Sequence, residues 1–363
     1  MNETLAPPRP TDGTRLRPRG TVAWRSRDER LSFLLHPRTL LTCLVLAAVS
    51  LVTLAVSVTV GDYEIPFAAV PGALFGFGER LDVFFVQGVR LPRALTAIGV
   101  GAALGIAGAV FQSLSRNALG SPDIIGFTSG AATGAVFAIL VLGASSVVIS
   151  LGAIAGGLVT AAVVYLLAMK NGVQGYRLVL VGIGVSAMLA SVRDYLMTRA
   201  DLTDALGAQI WMIGSLNGRG WGEVAAVWIG FALLAPVLFA VGRRLRFMES
   251  GEDIARGLGV NTRSTQIIAL AAASALTGAA IAVAGPVGFV ALAAPQLARR
   301  LMRTGGTTLI GSALMGATLL VLADLVAMRA LAPTQLPVGV VTAVIGGSYL
   351  IWLLYTEWRG GRA

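Results

Sequence analysis

About ten apolar runs, most of them near the ~20 residues that carry an α-helix across a bilayer, succeed one another between residues 39 and 356. No other feature narrows the possible folds so far. The runs fall at approximately 39–60, 91–113, 122–143, 147–168, 178–198, 224–242, 266–285, 288–301, 307–328 and 338–356. In lipid every backbone N–H and C=O must be paired internally, which leaves helices and closed barrels, and runs of this length without polar alternation read as helices. Composition agrees. With 56% hydrophobic and 13% charged residues and a mean hydropathy of +0.79, the chain lies outside the range of soluble domains. The expected fold class is an all-α polytopic membrane protein with about ten transmembrane helices. The run 288–301 follows Gly285-Pro286 and contains Pro295, so a kinked or broken helix is expected there.

The polar gaps between the runs set an orientation, because positively charged loops are retained inside during insertion. With both termini in the cytoplasm, 21 of the 28 Lys and Arg fall on the inner side. The other seven, Arg80, Arg90, Arg93, Arg193, Arg199, Arg219 and Arg329, fall on the outer side or in the outer half of a span. The expected location is the cell (inner, cytoplasmic) membrane. Residues 1–38, rich in Arg and Pro, read as a flexible basic cytoplasmic tail, 39–356 as the transmembrane domain and 357–363 as a second cytoplasmic tail. A cleaved signal peptide is not expected, since the first apolar run begins near Arg38 with no small-residue cleavage site. On the outer side, Asp62 to Arg93 reads as short amphipathic pieces at the interface. Trp211 to Trp221 reads as a Gly/Asn turn anchored at both ends by tryptophan.

The inner segment 243–266 is a polar island holding Arg243, Arg244, Arg246, Arg256 and Arg263. Ser250-Gly251-Glu252-Asp253 has the form of a helix start and Gly257-Leu258-Gly259 that of a stop. A short exposed helix between two spans is a rigid knob on which a soluble partner can push.

The chemistry the chain lacks is as informative. Its one lysine, Lys170, lies in LLAMKNGV, so there is no phosphate-cradling G-x-x-x-x-G-K-[ST] loop. If transport is driven by ATP, another polypeptide binds it. One cysteine, Cys43, and one histidine, His36, exclude a disulfide framework and a histidine relay. No catalytic, cofactor or metal site is expected, and the chain reads as a transporter component rather than an enzyme. Away from the ends of the runs only Arg193, Asp194 and Asp324 are charged, which makes them functional suspects. Asp194 has a structural alternative, pairing with Arg193 or Arg199, and Asp324 reads equally as a cap or pair and as a functional group. Glycines at four-residue spacing, Gly101/Gly105, Gly126/Gly130/Gly134 and Gly152/Gly156, are expected to let helices cross closely. Thr128, Ser129 and Thr133 either bond across helices or wet a channel. Arg90 and Arg93 stand where the second span begins. They either snorkel at the interface or receive carboxylates from a docking protein.

The run RLPRALTAIGVGAALGIAGAVFQSLSRNALGSPDIIGFTSGA (Arg90 to Ala131) resembles the signature of FecCD-type permeases, the membrane subunits of ABC importers for iron-siderophores and vitamin B12. GEDIARGLGV, AGPVGFVALAAPQLARRL and QLPVGVVTAVIGGSYLIWLL resemble the same family, in its order and spacing. FQSLSRNALGSPDIIGF, WMIGSLNG and KNGV look most like a ferric-enterobactin permease subunit. The resemblance implies the type II ABC importer fold and a second permease subunit, by preference a paralogue in a heterodimer. It further implies two ATPase subunits that use ATP and Mg, and an extracytoplasmic siderophore-binding protein. Glu252, Asp253, Arg256, Gly257, Leu258 and Gly259 match the helix that couples to the ATPase. Arg90 and Arg93 match outer arginines that engage the binding protein. A third such arginine falls on Met328 by spacing, with Arg329 one position later. The family's Pro-His is Pro295-Gln296 here, and its Asn-Pro-Leu is Asn117-Ala118-Leu119. The implied function is import of a ferric siderophore by alternating access. Import of vitamin B12 or haem is the alternative within the family. Outside it, an ion-coupled secondary carrier or a passive channel would work without an ATPase.

Overall fold

A computed structural model describes residues 22–25, 32–168 and 175–360. Most of the basic tail, Lys170 and residues 361–363 lie outside them. Two short strands, Val22–Arg25 and Ser32–Leu35, pair antiparallel with Val22 opposite Leu35, so part of the tail expected to be irregular takes β structure. All other regular structure is helical. In chain order the helices are α1 Pro37–Thr59, α2 Val70–Leu74, α3 Arg80–Val83, α4 Leu91–Ser115, α5 Phe127–Leu140, α6 Ser146–Ala168 and α7 Gly175–Arg199. Then follow α8 Leu202–Ile213, α9 Trp221–Glu249, α10 Glu252–Gly257, α11 Thr262–Ala284, α12 Val290–Met302, α13 Leu309–Arg329 and α14 Val338–Gly360. A π-helical segment, Phe84–Arg90, joins α3 to α4 without a break.

Each of the ten expected spans has a helix, but they are not alike. Among the described residues, seven helical stretches are long and apolar enough to cross a bilayer, and α5 and the apolar part of α14 are shorter. At about 1.5 Å per residue, the 14 residues of α5 and the 13 of α12 reach only part of the way. Of the expected third span 122–143, only Phe127–Leu140 is helical, and about a third is turn and loop. The break expected in the run 288–301 lies at its entry, 285–289, where Gly285 and Phe289 both have positive φ, while Pro295 sits inside α12. The irregular backbone is buried against other backbone, as lipid demands. The amide of Ser215 donates to Ala284 O at 2.8 Å and that of Gly339 to Gly214 O at 3.1 Å.

Helix α4 is the hub. All but a few of its residues are buried, and α1, α9, α11, α12 and α13 surround it. The expected glycine contacts are real. A Cβ on Gly101 would overlap the carbonyl of Gly316 in α13, and a Cβ on Gly316 that of Gly101. Gly130 and Gly134 of α5 meet Gly156 and Gly152 of α6 in the same way. Such seams pack backbone on backbone where no hydrophobic drive separates helix from lipid. Two further departures from expectation matter for the site. Leu202–Ile213 form α8, with Trp211 packed against the cluster of Phe127, Ala131 and Ala135. Arg243–Glu249 and Thr262–Gln266 are helical extensions of α9 and α11, so the polar island is a loop only around α10.

Candidate functional site

The polar residues gather at the two ends of the bundle, about 37 Å apart by the length of the 25-residue α4.

At one end stands α10. Gly251, with φ 129°, turns the chain out of α9, and Gly259, with φ 80°, turns it away after α10; neither angle suits a residue with a Cβ. Asn261 then caps α11, its side chain accepting from the Ser264 amide at 3.0 Å. Glu252 is the hub of this turn. Its Oε2 accepts from Arg256 Nη2 at 3.0 Å, and its Oε1 from Gln266 Nε2 at 3.1 Å. Arg116, at the C-terminus of α4, pairs with the same carboxylate at 3.5 Å. Arg256 Nη1 also reaches Asp253 at 3.2 Å. Ala255 is buried, while Ile254 and Leu258 are 57% and 61% exposed. Nothing crowds Gly257. The result is a small knob, fixed beneath by ion pairs and presenting two bare aliphatic side chains.

Around the knob, neighbouring elements are tied together by contacts that the sequence did not announce. Gln112 of α4 donates to Leu292 O at 3.0 Å and accepts from Arg299 at 2.6 Å, joining α4 to α12. Gln296 of α12 donates to Ala118 O at 2.7 Å. Glu249 accepts from both the amide and the hydroxyl of Thr307, joining α9 to the turn before α13. The available signal was clear only for Gln112, a polar residue in the last turn of the apolar run 91–113.

At the other end the arginines are turned inward. Arg93 is 8% exposed; its Nε and Nη2 hold Asp324 of α13 at 2.8–3.1 Å, and its Nη1 holds Gln335 at 2.7 Å. The bidentate geometry and the burial of both partners make this a desolvated pair. Asp324, left open by the sequence, is therefore the partner of Arg93. Arg90 is buried as well. It donates to the carbonyls of Val58 and Thr59, both at 2.9 Å, and of Tyr63, and lies over the Phe85 ring. Both guanidinium groups are thus occupied within the chain, and neither offers an unfilled fork to a docking protein in this conformation. Arg329 is exposed and gives one hydrogen bond, to Gly61 O at 3.1 Å. Arg193, one of the two partners weighed for Asp194, bonds to Ser129 O at 2.9 Å and Thr133 Oγ1 at 3.3 Å, joining α7 to α5.

The chain has clear relatives. The model of the FecCD transport family matches residues 48–356. The ferric enterobactin transport system permease protein FepG of Escherichia coli (strain K12) is 44% identical over 324 residues, 89% of this chain and 98% of that one. The cobalamin import system permease protein BtuC of Halobacterium salinarum is 37% identical over 313 residues, 85% of this chain and 84% of that one. Among solved structures, a chain of a metal-chelate type ABC transporter in an inward-facing conformation superposes with a TM-score of 0.77 at 29% identity. That match covers 86% of this chain and 98% of the other. With its all-helical permease fold and multi-pass membrane architecture, the chain belongs to the FecCD transport family.

Proposed function

We propose that this chain is a transmembrane subunit of an ATP-driven importer for a ferric siderophore of the enterobactin kind, and that α10 is its coupling element. The observation that carries the reading is α10 itself: an exposed, rigid, six-residue helix bound through Glu252 to the ends of α4 and α11. Identity to a ferric enterobactin permease supports the substrate class. The preponderance of arginine at the α10 end supports placing that end, and both termini, in the cytoplasm. The nucleotide and Mg are bound by a separate pair of ATPase subunits, whose closure pushes α10. The push passes through Arg116 to α4 and, by the Gln112 and Gln296 bridges, to α12. A paralogous permease chain completes the conduit, and a binding protein delivers the siderophore at the opposite end. There Arg329, exposed and held by one hydrogen bond to Gly61 O, is available to meet a carboxylate. Arg90 and Arg93 act through the loops they hold, unless docking releases them.

The test is uptake of radio-iron-labelled ferric enterobactin by a strain lacking its own permease and carrying this one. Uptake should require the partner ATPase. Gly257→Pro, which interrupts the last turn of α10, and Glu252→Arg, which replaces attraction to Arg116 and Arg256 by repulsion, should each abolish uptake while leaving the protein in the membrane. Uptake driven by an ion gradient without the ATPase contradicts the proposal. The similarity to a cobalamin permease supports a second substrate class, and labelled cobalamin in the same strain separates the two.

A further inference from the structure

Beside α10, but not part of it, an open cavity of about 780 Å³ is formed where α1 begins, α9 ends and α13 begins. Arg243, Arg246 and Arg303 all line it, and no Asp or Glu does among the described lining residues. The side chains of Arg246 and Arg303 have no ion pair or hydrogen bond among the described residues, and Arg243 lies over the Phe247 ring. Glu249, the acid of the same turn, is committed to Thr307. The cavity also receives the N-terminus of the 21-residue α13, whose N-cap Thr308 makes no side-chain cap. Leu309, Ile310 and Gly311 there have the N–H groups that an uncapped helix leaves unpaired. The Thr304 hydroxyl, also in the lining, is buried without a partner. Three cationic side chains, a helix dipole and an idle hydroxyl make a site for a phosphate group.

The surroundings choose its source. The ends of three spans form the cavity, so it opens at the boundary between membrane and water. Leu40, Phe239 and Ile310 in its lining are 53%, 41% and 60% exposed and lead from the arginines toward the lipid-facing sides of α1, α9 and α13. We propose that this cavity binds the phosphate headgroup of an anionic phospholipid, with its acyl chains along Leu40, Phe239 and Ile310. Basic pockets between transmembrane helices recognise acidic headgroups by this combination of charge and apolar flank. The site lies against the Glu249–Thr307 bond, and through it the lipid holds the turn between α12 and α13 in place.

The full chain, purified in detergent and mixed with phosphatidylglycerol or phosphatidylcholine, is examined by native mass spectrometry. Phosphatidylglycerol should be retained and phosphatidylcholine lost. Arg246→Gln and Arg303→Asn should each weaken retention about fivefold, the effect of one basic residue at a lipid surface. Arg244→Gln, on α9 but outside the lining, should leave it unchanged. Arg303 has φ 50°, which asparagine tolerates, so that variant keeps the fold even if Arg246→Gln does not. Equal retention of the two lipids, or full retention in Arg303→Asn, overturns the proposal. Displacement of phosphatidylglycerol by an equal concentration of inorganic phosphate also overturns it, in favour of a free-anion site.

Discussion

The two ends of the bundle use the same side chain in opposite ways. Around α10, Arg256 and Arg116 are half exposed, paired loosely with Glu252 and open to water. At the far end, Arg93 and Arg90 are buried, each held by several acceptors. Exposed ion pairs contribute little, because water screens them and long side chains lose entropy in making them. A buried pair adds little beyond an apolar substitute, yet breaking it strands a charge. The α10 end can therefore be displaced at little cost, whereas the Arg93–Asp324 end resists displacement.

That difference can be broken at its strongest point first. Arg93→Ala or Asp324→Ala alone should cost about 3–5 kcal/mol and lower the thermal midpoint and yield of the purified protein, whereas Arg93→Met with Asp324→Leu together should recover most of the loss. Single variants as stable as the parent would mean that the pair is not desolvated. Between the ends, Gly101→Val forces α4 from α13 and should cost about 1–3 kcal/mol, read by the same thermal melts. At the α10 end stability should barely respond. Ile254→Asp with Leu258→Asp should stay within about 0.5 kcal/mol of the parent, yet weaken co-purification of the partner ATPase by about tenfold or more. The smallest effect is expected for Arg256→Gln, about 0.3–0.5 kcal/mol, visible as faster amide exchange confined to α10.

The sequence made some of this legible and hid the rest for physical reasons. Local signals survived. Run length located the spans, Gly251 and the Gly257-Leu258-Gly259 stop bracketed α10, and the four-residue glycine spacing marked the α4–α13 and α5–α6 seams. Nonlocal pairing did not survive. Arg93 and Asp324 are 231 positions apart, and nothing in either neighbourhood says that the arginine turns inward rather than toward a docking partner. Hydropathy also merges a half-length helix with the apolar loop that leads into it, which is why α5 read as a full span. The same averaging hid α8 and the π-helical entry to α4. The bridges of Gln112 and Gln296 were invisible because an uncharged polar residue in an apolar run has no fixed partner.

Coupling through α10 can be measured most directly as movement. In a Cys43→Ser background, which removes the only native cysteine, spin labels at Asp253→Cys and Arg329→Cys report the distance between the two ends in the assembled complex. Coupling through α10 predicts that ATP shifts this distance in the parent and not when Glu252→Arg is added. An unchanged distance on adding ATP, in a complex that still imports, would contradict it.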